Sequence, residues 1–257
     1  LCAIVITHIA FGQVRKNSHN SGDDRNQLLD GEDSDRKYSG RKYSGRNNSF
    51  VRRASSQRRS SSSSRRSSTC SLYSGFDITP YLSRNKYSNY IYRGIWGGCD
   101  YKCFCQNNFK LFLTKVVFEI NIMRQSHQVR CLKRAQDLDI LAQHLANMMA
   151  SKSKLISDPT TGYGVSVSVA YNPLSSLMVT EWYDQRRHYY YTFGHGSLST
   201  SKFTQLVWKD TSFVGVGAAT NGTHTFLAVY YYPRGNIRGK FRKNVFRQDT
   251  KLLKKII

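Results

Sequence analysis

Apolar side chains recur every three to four residues in three stretches of the C-terminal half, a spacing typical of amphipathic helices. These stretches predict helices over residues 108–126, 138–152 and 174–190. The third begins after Asn172-Pro173, a capping residue followed by a proline that suits a first helical turn. The same half of the chain is therefore expected to contain at least three helices.

Strand patterns are interspersed with these helices. Val165, Val167 and Val169 alternate with small residues, which is typical of a half-buried strand. Two further apolar runs, residues 213–220 and 225–232, are joined by Asn221-Gly222, a strong hairpin signal. Helices with a short antiparallel sheet predict an α+β domain in which helices cover the sheet.

Charge is high and is distributed over the whole chain. The 257 residues include 39 Lys or Arg and 16 Asp or Glu, a formal net charge of +23. Residues 1–75 contribute +8 (14 − 6), residues 76–109 contribute +2 (4 − 2) and residues 110–257 contribute +13 (21 − 8). The globular part is thus itself basic. No apolar run reaches about 18 residues, and no Gly-X-Y or heptad period is present, which excludes a spanning helix, a collagen and a coiled coil.

The first 75 residues do not resemble a packed domain. Residues 1–12 form an apolar run that ends in small residues, which predicts a truncated secretory signal peptide; a buried strand or a misassigned start exon are the alternatives. Residues 13–75 are rich in Arg and Ser and too poor in apolar residues to form a core, so they are predicted to be disordered.

Residues 76–109 are rich in aromatic side chains and cysteines, and we interpret them as a linker. A C-x3-C-x-C spacing without a second Cys or His cluster gives a zinc site only weak support. Loss of Cys2 with a signal peptide would leave an odd number of cysteines, so at least one thiol would be free or paired with another chain. The sequence leaves the disulfide pairing open among Cys70, Cys99, Cys103, Cys105 and Cys131.

Residues 203–211 (FTQLVWKDT) and residues 231–236 (YYPRGN) resemble the two signatures of the CAP superfamily of cysteine-rich secretory, antigen 5 and pathogenesis-related proteins, also called the SCP domain. The resemblance covers residues 110–248 and is supported by Asn121, Arg124 and His127 on the first helix and by Glu181-Trp182-Tyr183. The absence of cysteine from the second signature, where Val229 stands, is most similar to the Golgi-associated pathogenesis-related subgroup. The resemblance implies an α-β-α sandwich. The matching signature positions are Phe203, Thr204, Gln205, Val207, Trp208, Tyr231, Pro233, Gly235 and Asn236.

Many CAP proteins have a cleft with two His and two Glu that can hold a divalent cation, and this chain departs from that pattern. Val165 and Gln185 stand where the resemblance implies Glu ligands, and Lys202 stands where it implies a His. A protonated lysine has no lone pair for a metal. We therefore expect a degenerate cleft without a metal or cofactor, with Lys202 close to Gln185 as a fixed positive charge in place of the cation.

Other groupings for metal binding or catalysis find little support in the sequence. Asp184 and His188, four residues apart, could form a zinc triad with His195, but the spacing matches no known metal motif and we interpret them as exposed surface residues. No nucleophile elbow is present. We expect His127 to hold the first helix rather than to act as a base, and the protein not to be an enzyme.

The function we expect is binding. The resemblance implies binding of sterol, fatty acid or an acidic phospholipid surface, and a protein partner is a further alternative. Basic and apolar residues alternate near the C-terminus, including a basic apolar tail at residues 249–257, which suits an anionic membrane. The cations expected to contact the membrane are Arg238, Lys240, Arg242, Lys243 and Arg247.

The cellular location of the protein distinguishes several of these alternatives for its function. We expect an extracellular location, with an intracellular, Golgi-type membrane surface as the alternative. The sequons at Asn47 and Asn221 would permit glycosylation of a secreted chain. Non-specific nucleic-acid binding through the basic arm is a second alternative, disfavoured because no nucleic-acid-binding fold is recognisable.

Overall fold

The computed structural model of the chain describes residues 70–158 and 162–249. The predicted signal peptide, the part of the predicted disordered region before residue 70, the Asn47 sequon and the tail beyond residue 249 lie outside the described residues. Within the described part of the chain, no helix is both long and apolar enough to cross a membrane.

A four-stranded mixed sheet forms the centre of the domain. Its strands are β1 (Lys133–Arg134), β2 (Gly164–Tyr171), β3 (Phe213–Thr220) and β4 (His224–Tyr232). The spatial order is β1-β3-β4-β2, with β1 parallel to β3 and the other neighbours antiparallel. The predicted hairpin is confirmed, since Thr220 pairs with Thr225 and the side chain of Asn221 accepts hydrogen bonds from the amides of Thr223 and His224 in the turn.

Helices cover both faces of this sheet, which confirms the predicted α+β fold of helices on a sheet. The seven residues Thr225–Tyr231 of β4 are all buried, and a strand is buried at successive positions only when both of its faces are covered. On one face, helix α4 (Gln136–Lys152) packs closely on β3. A Cβ added at Gly215 or Gly217 would lie 2.1 or 2.3 Å from the backbone of α4, so glycine allows this close approach.

The opposite face is covered by helices that carry the motif residues. These are α3 (Gln106–Ser126), α5 (Met178–Asp184) and α6 (Ser201–Leu206); a last short helix, α7, spans Phe241–Asn244. The predicted helix over residues 108–126 is confirmed in α3. Its regular part begins later, near Lys110, because the backbone of Asn107, Asn108 and Phe109 has positive φ values of 51°, 53° and 62°.

Strand β2 is confirmed, but the serines that alternate with its valines are the more deeply buried residues. Ser166 and Ser168 are 2% and 8% exposed, whereas Val165 and Val167 are half-buried and Val169 is exposed. The reason is the position of β2 at the sheet edge: its valines contact the rim of the cluster under α4, and its serines lie on the face covered by α3, α5 and α6.

The predicted helix over residues 174–190 consists of three consecutive turns rather than one continuous helix. The 3-10 helices Asn172–Leu177 and Gln185–His188 flank α5. Pro173 occupies the first turn as expected, but the capping role of Asn172 is wrong. Its side chain instead donates to the carbonyl of Gly222 and accepts from the hydroxyls of Thr220 and Thr225, which ties this turn to the hairpin.

Residues 70–105, the N-terminal extension, are folded against the domain, so the interpretation of residues 76–109 as a linker is wrong. The extension contains a 3-10 turn at Thr79–Tyr81 and helices α1 (Lys86–Trp96) and α2 (Tyr101–Phe104). In α1, Asn85 caps the first turn by accepting from the amide of Ser88, and Tyr87, Ile91 and Ile95 are buried. The i, i+4, i+8 spacing of these three residues gives α1 an apolar face that packs against α3 and α5.

Two disulfides stabilise the extension. Cys70 is bonded to Cys105 across 35 residues, and Cys99, in the loop before α2, is bonded to Cys103 within that helix. Cys131, outside the extension, accepts a hydrogen bond from the side-chain amide of Gln125 at 3.4 Å. Both ends of the extension are thus held together covalently.

Candidate functional site

Gln185 and Lys202 are in contact at the start of helix α6. The side-chain oxygen of Gln185 accepts from the backbone amides of Lys202 and Phe203, at 3.1 and 3.3 Å. The first amides of a helix have no partner within the helix, so this glutamine acts as the cap. A neutral amide therefore performs a structural task at the position where the resemblance implies a metal ligand.

The ammonium of Lys202 has fixed partners of its own. It donates to the carbonyl of Val167 on the edge strand β2 at 2.8 Å and lies 5.7 Å from the centre of the Trp182 ring. Burial lowers the pKa of Lys202, while the nearby Glu181 carboxylate acts in the opposite direction. The lysine thus supplies a positive charge beside Gln185, held by a carbonyl and an aromatic ring.

Val165 does not belong to this pair. It is paired with Tyr230 across the sheet and packs with the apolar cluster under α4. The expectation that Val165, Gln185 and Lys202 share one cleft needs correction, because the structure brings together only the last two.

The alternative metal triad is not assembled either. Asp184 accepts hydrogen bonds from Ser83 and from Ser88, at 2.5 Å for the latter. His188 accepts from the guanidinium of Arg187 at 2.8 Å, and His195 stacks on Phe193. Among residues 70–158 and 162–249, no three His, Cys, Asp or Glu side chains are grouped so as to hold a metal ion.

The polar residues of the two signatures are joined to each other. The amide of Gly235 donates to Gln205 at 2.8 Å, and the hydroxyl of Thr204 donates to Asn236 at 2.6 Å. The side-chain amide of Asn236 in turn donates to the carbonyl of Ser201 at 2.8 Å. These bonds hold α6 against the segment after β4. The apolar signature residues are buried around them: Phe203, Val207, Trp208 and Tyr231.

The first-helix residues Arg124 and His127 also hold the fold together. The fully buried guanidinium of Arg124 donates to the carbonyls of Leu206, Trp208 and Thr211, at 2.8, 2.9 and 3.0 Å. Burial lowers its pKa to about 10. One cation thus satisfies three carbonyls of the segment that links α6 to β3.

His127 is neutral at physiological pH and structural. Burial lowers its pKa to about 4. Its Nδ1 lies 2.7 Å from the carbonyl of Phe246, and its Nε2 lies 2.9 Å from the hydroxyl of Tyr183. Because a carbonyl can only accept, Nδ1 carries the proton and Nε2 accepts from the tyrosine. The imidazole is therefore fully occupied as a bridge between helix α3, Tyr183 and the C-terminal segment.

Five cations follow the second signature, and together we call them the basic strip. All five are exposed: Arg238, Lys240, Arg242, Lys243 and Arg247. The strip is anchored by buried residues between the cations. Phe241 packs edge-on against Trp208, with 5.1 Å between ring centres, and the Asn244 side chain accepts from the amide of Asp210 at 2.9 Å.

The sequon residue Asn221 lies at the hairpin tip and is exposed. Its side-chain nitrogen donates to the hydroxyl of Ser153 at 2.9 Å. Exposure at the hairpin tip is what N-glycosylation of this asparagine would need.

The extension lines a cleft and packs beside a buried carboxyl group that accepts two hydrogen bonds. Neither feature was expected from the sequence. The cleft, of about 840 Å³, lies between Tyr81–Asn85 of the extension and α5 with the turn after it. Nearby, the fully buried Glu119 accepts from the Trp96 indole at 2.8 Å and from the Thr180 hydroxyl at 2.7 Å. Burial raises the pKa of Glu119 to about 7. The helical spacing of Tyr87, Ile91 and Ile95 was the signal that could have revealed this packing.

Known proteins are similar to part of this chain. Residues 117–232 match the model of the cysteine-rich secretory protein family, CAP. The Golgi-associated plant pathogenesis-related protein 1 of Homo sapiens is 29% identical over 143 residues, which cover 53% of this chain and 93% of that protein. Protein PRY2 of Saccharomyces cerevisiae is 31% identical over 137 residues, which cover 52% of this chain and 41% of that protein.

Among solved structures, the venom allergen-like protein 4 of Schistosoma mansoni aligns with a TM-score of 0.43 at 13% identity. The alignment covers 55% of this chain and 96% of that one. The N-terminal extension precedes the residues that match the family model.

Proposed function

We propose, from the premise that residues 117–232 form a CAP domain, that this chain is a non-enzymatic binding protein that attaches to an anionic lipid surface. The observation that carries the proposal is the basic strip. Its five exposed cations lie within residues 233–248, which contain six Lys or Arg and no Asp or Glu. Such a surface is attracted to the negative headgroups of acidic phospholipids, at about 1 kcal/mol for each cation near the membrane.

The polar groups where catalysis would be sought have structural partners, which supports the non-enzymatic part of the proposal. His127 is neutral and bridges Tyr183 and the carbonyl of Phe246. Gln185 caps a helix, and Lys202 is held by a carbonyl. No group among these combines a nucleophile with an adjacent base.

We further propose that the protein is secreted. The description of its family names secretory proteins, and the two disulfides of the extension are of the kind that persists in oxidising compartments. On the cytosolic face of a Golgi-type membrane, these cysteines would be kept reduced. Mass spectrometry of the protein from its native source, with thiols alkylated before reduction, distinguishes the two locations.

Co-sedimentation of the full chain with phosphatidylcholine vesicles containing phosphatidylserine tests the membrane proposal. A triple variant of the strip, Arg238→Glu, Lys240→Glu and Lys243→Glu, is expected to bind about 100-fold more weakly than wild type, since three cations are lost and repulsion is added. These three residues are exposed, so the fold should be unaffected.

A matched control carries the same change in net charge elsewhere. Lys110→Glu, Lys152→Glu and Lys154→Glu alter exposed lysines outside the strip. The control should retain most of the vesicle binding. Equal losses in both triple variants would show that only net charge matters and would contradict the strip as the binding surface.

A further inference from the structure

The most exposed apolar side chains in the described part of the CAP domain cluster in one loop. This loop, residues 189–198, lies between the turn after α5 and the 3-10 helix Leu198–Thr200, and we call it the aromatic loop. Leu198 is 94% exposed, Tyr190 69% and Phe193 65%. Large apolar groups left in water contribute nothing to folding, and such clusters mark interaction sites.

The loop is held in place at both ends. Tyr189, only 6% exposed, packs its ring on Tyr191 and Phe203, with ring centres 4.8 and 5.9 Å apart. At the other end, Ser197 and Thr200 form a reciprocal capping box. The exposed side chains are therefore presented from an anchored loop.

The basic strip lies directly against this loop. The guanidinium of Arg242 donates to the carbonyl of Thr192 at 3.0 Å, and that of Arg247 lies 4.9 Å from the centre of the Tyr191 ring. Gly194, with a φ of +61°, makes room for Arg242, since a Cβ there would lie 2.2 Å from its Cγ. The apolar tips and the cations thus belong to one continuous surface.

Acidic residues are absent from the two segments that form this surface. Residues 185–209 and 233–248 together contain ten Lys or Arg and no Asp or Glu. Exposed apolar side chains beside a strip of exposed cations match the two layers of an anionic bilayer: the cations meet the headgroup phosphates and carboxylates, and the apolar groups enter the acyl boundary.

We infer that the aromatic loop inserts Phe193 and Leu198, with Tyr190 at the interface, into an anionic bilayer while the basic strip contacts the headgroups. This inference rests on the proposed attachment to a lipid surface and names the part of the protein that enters the membrane. Insertion of these side chains adds an apolar contribution to the binding free energy, and salt does not screen this contribution.

A tryptophan reporter measures insertion directly. The native tryptophans Trp96, Trp182 and Trp208 are at most 2% exposed, so their emission should not respond to vesicles. In the full chain carrying Leu198→Trp, phosphatidylserine-containing vesicles should shift the emission to the blue, and brominated acyl chains should quench it. Ile140→Trp is the control, because Ile140 is 61% exposed on α4, on the other side of the sheet, and should show neither effect.

A loss-of-function pair complements the reporter. Phe193→Ser with Leu198→Ser leaves every cation of the strip in place and should weaken vesicle binding about 100-fold or more, since two large apolar side chains no longer enter the acyl boundary. Ile140→Ser should leave binding unchanged. Unaltered thermal unfolding of the double variant would show that the loss is one of binding.

The outcomes separate this inference from the proposed function. Wild-type protein that binds anionic vesicles, together with a double variant that binds equally well or an unshifted Leu198→Trp emission, overturns insertion alone. Wild-type protein that binds no vesicles overturns the proposed function and the inference with it. A blue shift in both the Leu198 and the Ile140 reporters would also contradict insertion through this loop.

Discussion

The N-terminal extension and the basic surface, formed by the basic strip and the aromatic loop, differ in what their polar and apolar groups contact. On the extension side, Glu119 and Asp184 accept hydrogen bonds from Trp96, Thr180, Ser83 and Ser88. Five aromatic side chains of the extension are buried: Tyr87, Tyr92, Trp96, Tyr101 and Phe104. On the basic surface, Tyr190, Phe193 and Leu198 are exposed, and residues 233–248 contain six Lys or Arg and no Asp or Glu. The polar and aromatic groups of the first region contact one another inside the fold, whereas the second region exposes cations and apolar side chains, and we propose it as the binding surface.

The largest loss of stability is expected from Trp96→Ala in the extension, and it tests the contrast between the two regions. Trp96 is 2% exposed, packs on Phe104 and Phe112, and donates to the buried Glu119. Truncation should lower the free energy of unfolding by about 4 kcal/mol, measured by guanidinium denaturation of the oxidised protein. Phe193→Ala in the aromatic loop should change it by less than about 0.5 kcal/mol. Similar losses for both would contradict the division into a structural and a binding region.

The pH dependence of stability should be dominated by two buried groups with opposite effects. Burial raises the pKa of Glu119 from 4.5 to about 7, so the folded state binds its proton more tightly than the unfolded state. Protonation of Glu119 therefore contributes about 3 kcal/mol to the free energy of unfolding below pH 4.5. This contribution is lost as the pH rises towards 7. Burial lowers the pKa of His127 from 6.5 to about 4, so its contribution is lost as the pH falls from 6.5 to 4.

Glu119→Gln separates these two contributions. A glutamine accepts from the Trp96 indole and can donate to the Thr180 hydroxyl, so the packing is retained without a titration. When the pH is lowered from 6.5 to 5, the free energy of unfolding of the wild type should vary little, because the effects of Glu119 and His127 cancel. That of the variant should fall by about 1–2 kcal/mol, because acid protonates His127 in the unfolded state. Urea denaturation at a series of pH values measures this, and parallel profiles would contradict a neutral, buried Glu119.

How much of this could be predicted from sequence depends on the range of the contacts involved. Helix α4 and the β3–β4 hairpin followed from local periodicity and the Asn-Gly turn, because their signals lie within a few residues. The extension was misinterpreted as a linker, although the spacing of Tyr87, Ile91 and Ile95 already indicated a helix with one apolar face. In this segment the aromatic and cysteine content is typical of an irregular linker, whereas the spacing of its apolar residues is typical of a helix.

The candidate site was only partly predictable for a different reason. The proximity of Gln185 and Lys202 followed from the resemblance, but Val165 lies on the face of β2 that packs under α4, and tertiary packing decides which helix covers which face. The contact between Arg242 and Thr192 joins segments 50 residues apart in sequence. The combined basic and apolar surface is therefore a product of tertiary structure.

A smaller effect is expected from Ser88→Ala at the contact between α1 and α5. The hydroxyl of Ser88 donates to Asp184, and Ser88 is fully buried. Its loss should lower the free energy of unfolding by about 1–2 kcal/mol, since a carboxylate loses one of its donors. Ser199→Ala, at an exposed position beside the aromatic loop, is the comparison and should be nearly neutral in the same denaturation experiment.

The smallest expected change is in the stability of the strip variant. Arg238→Glu, Lys240→Glu and Lys243→Glu should leave the free energy of unfolding within about 0.5 kcal/mol of wild type in guanidinium denaturation, because the three side chains are exposed. A marked loss of stability would assign the strip a structural role and remove the contrast with the extension.

The most direct test of the central claim is the equilibrium binding of the full wild-type chain to two kinds of vesicle, measured by co-sedimentation at increasing salt. One kind consists of phosphatidylcholine alone, and the other also contains phosphatidylserine. We predict binding only to the anionic vesicles, weakened by salt but not abolished by it, because cations and apolar side chains act together. Equal binding to both kinds, or none to either, would contradict the assignment of this surface to an anionic membrane.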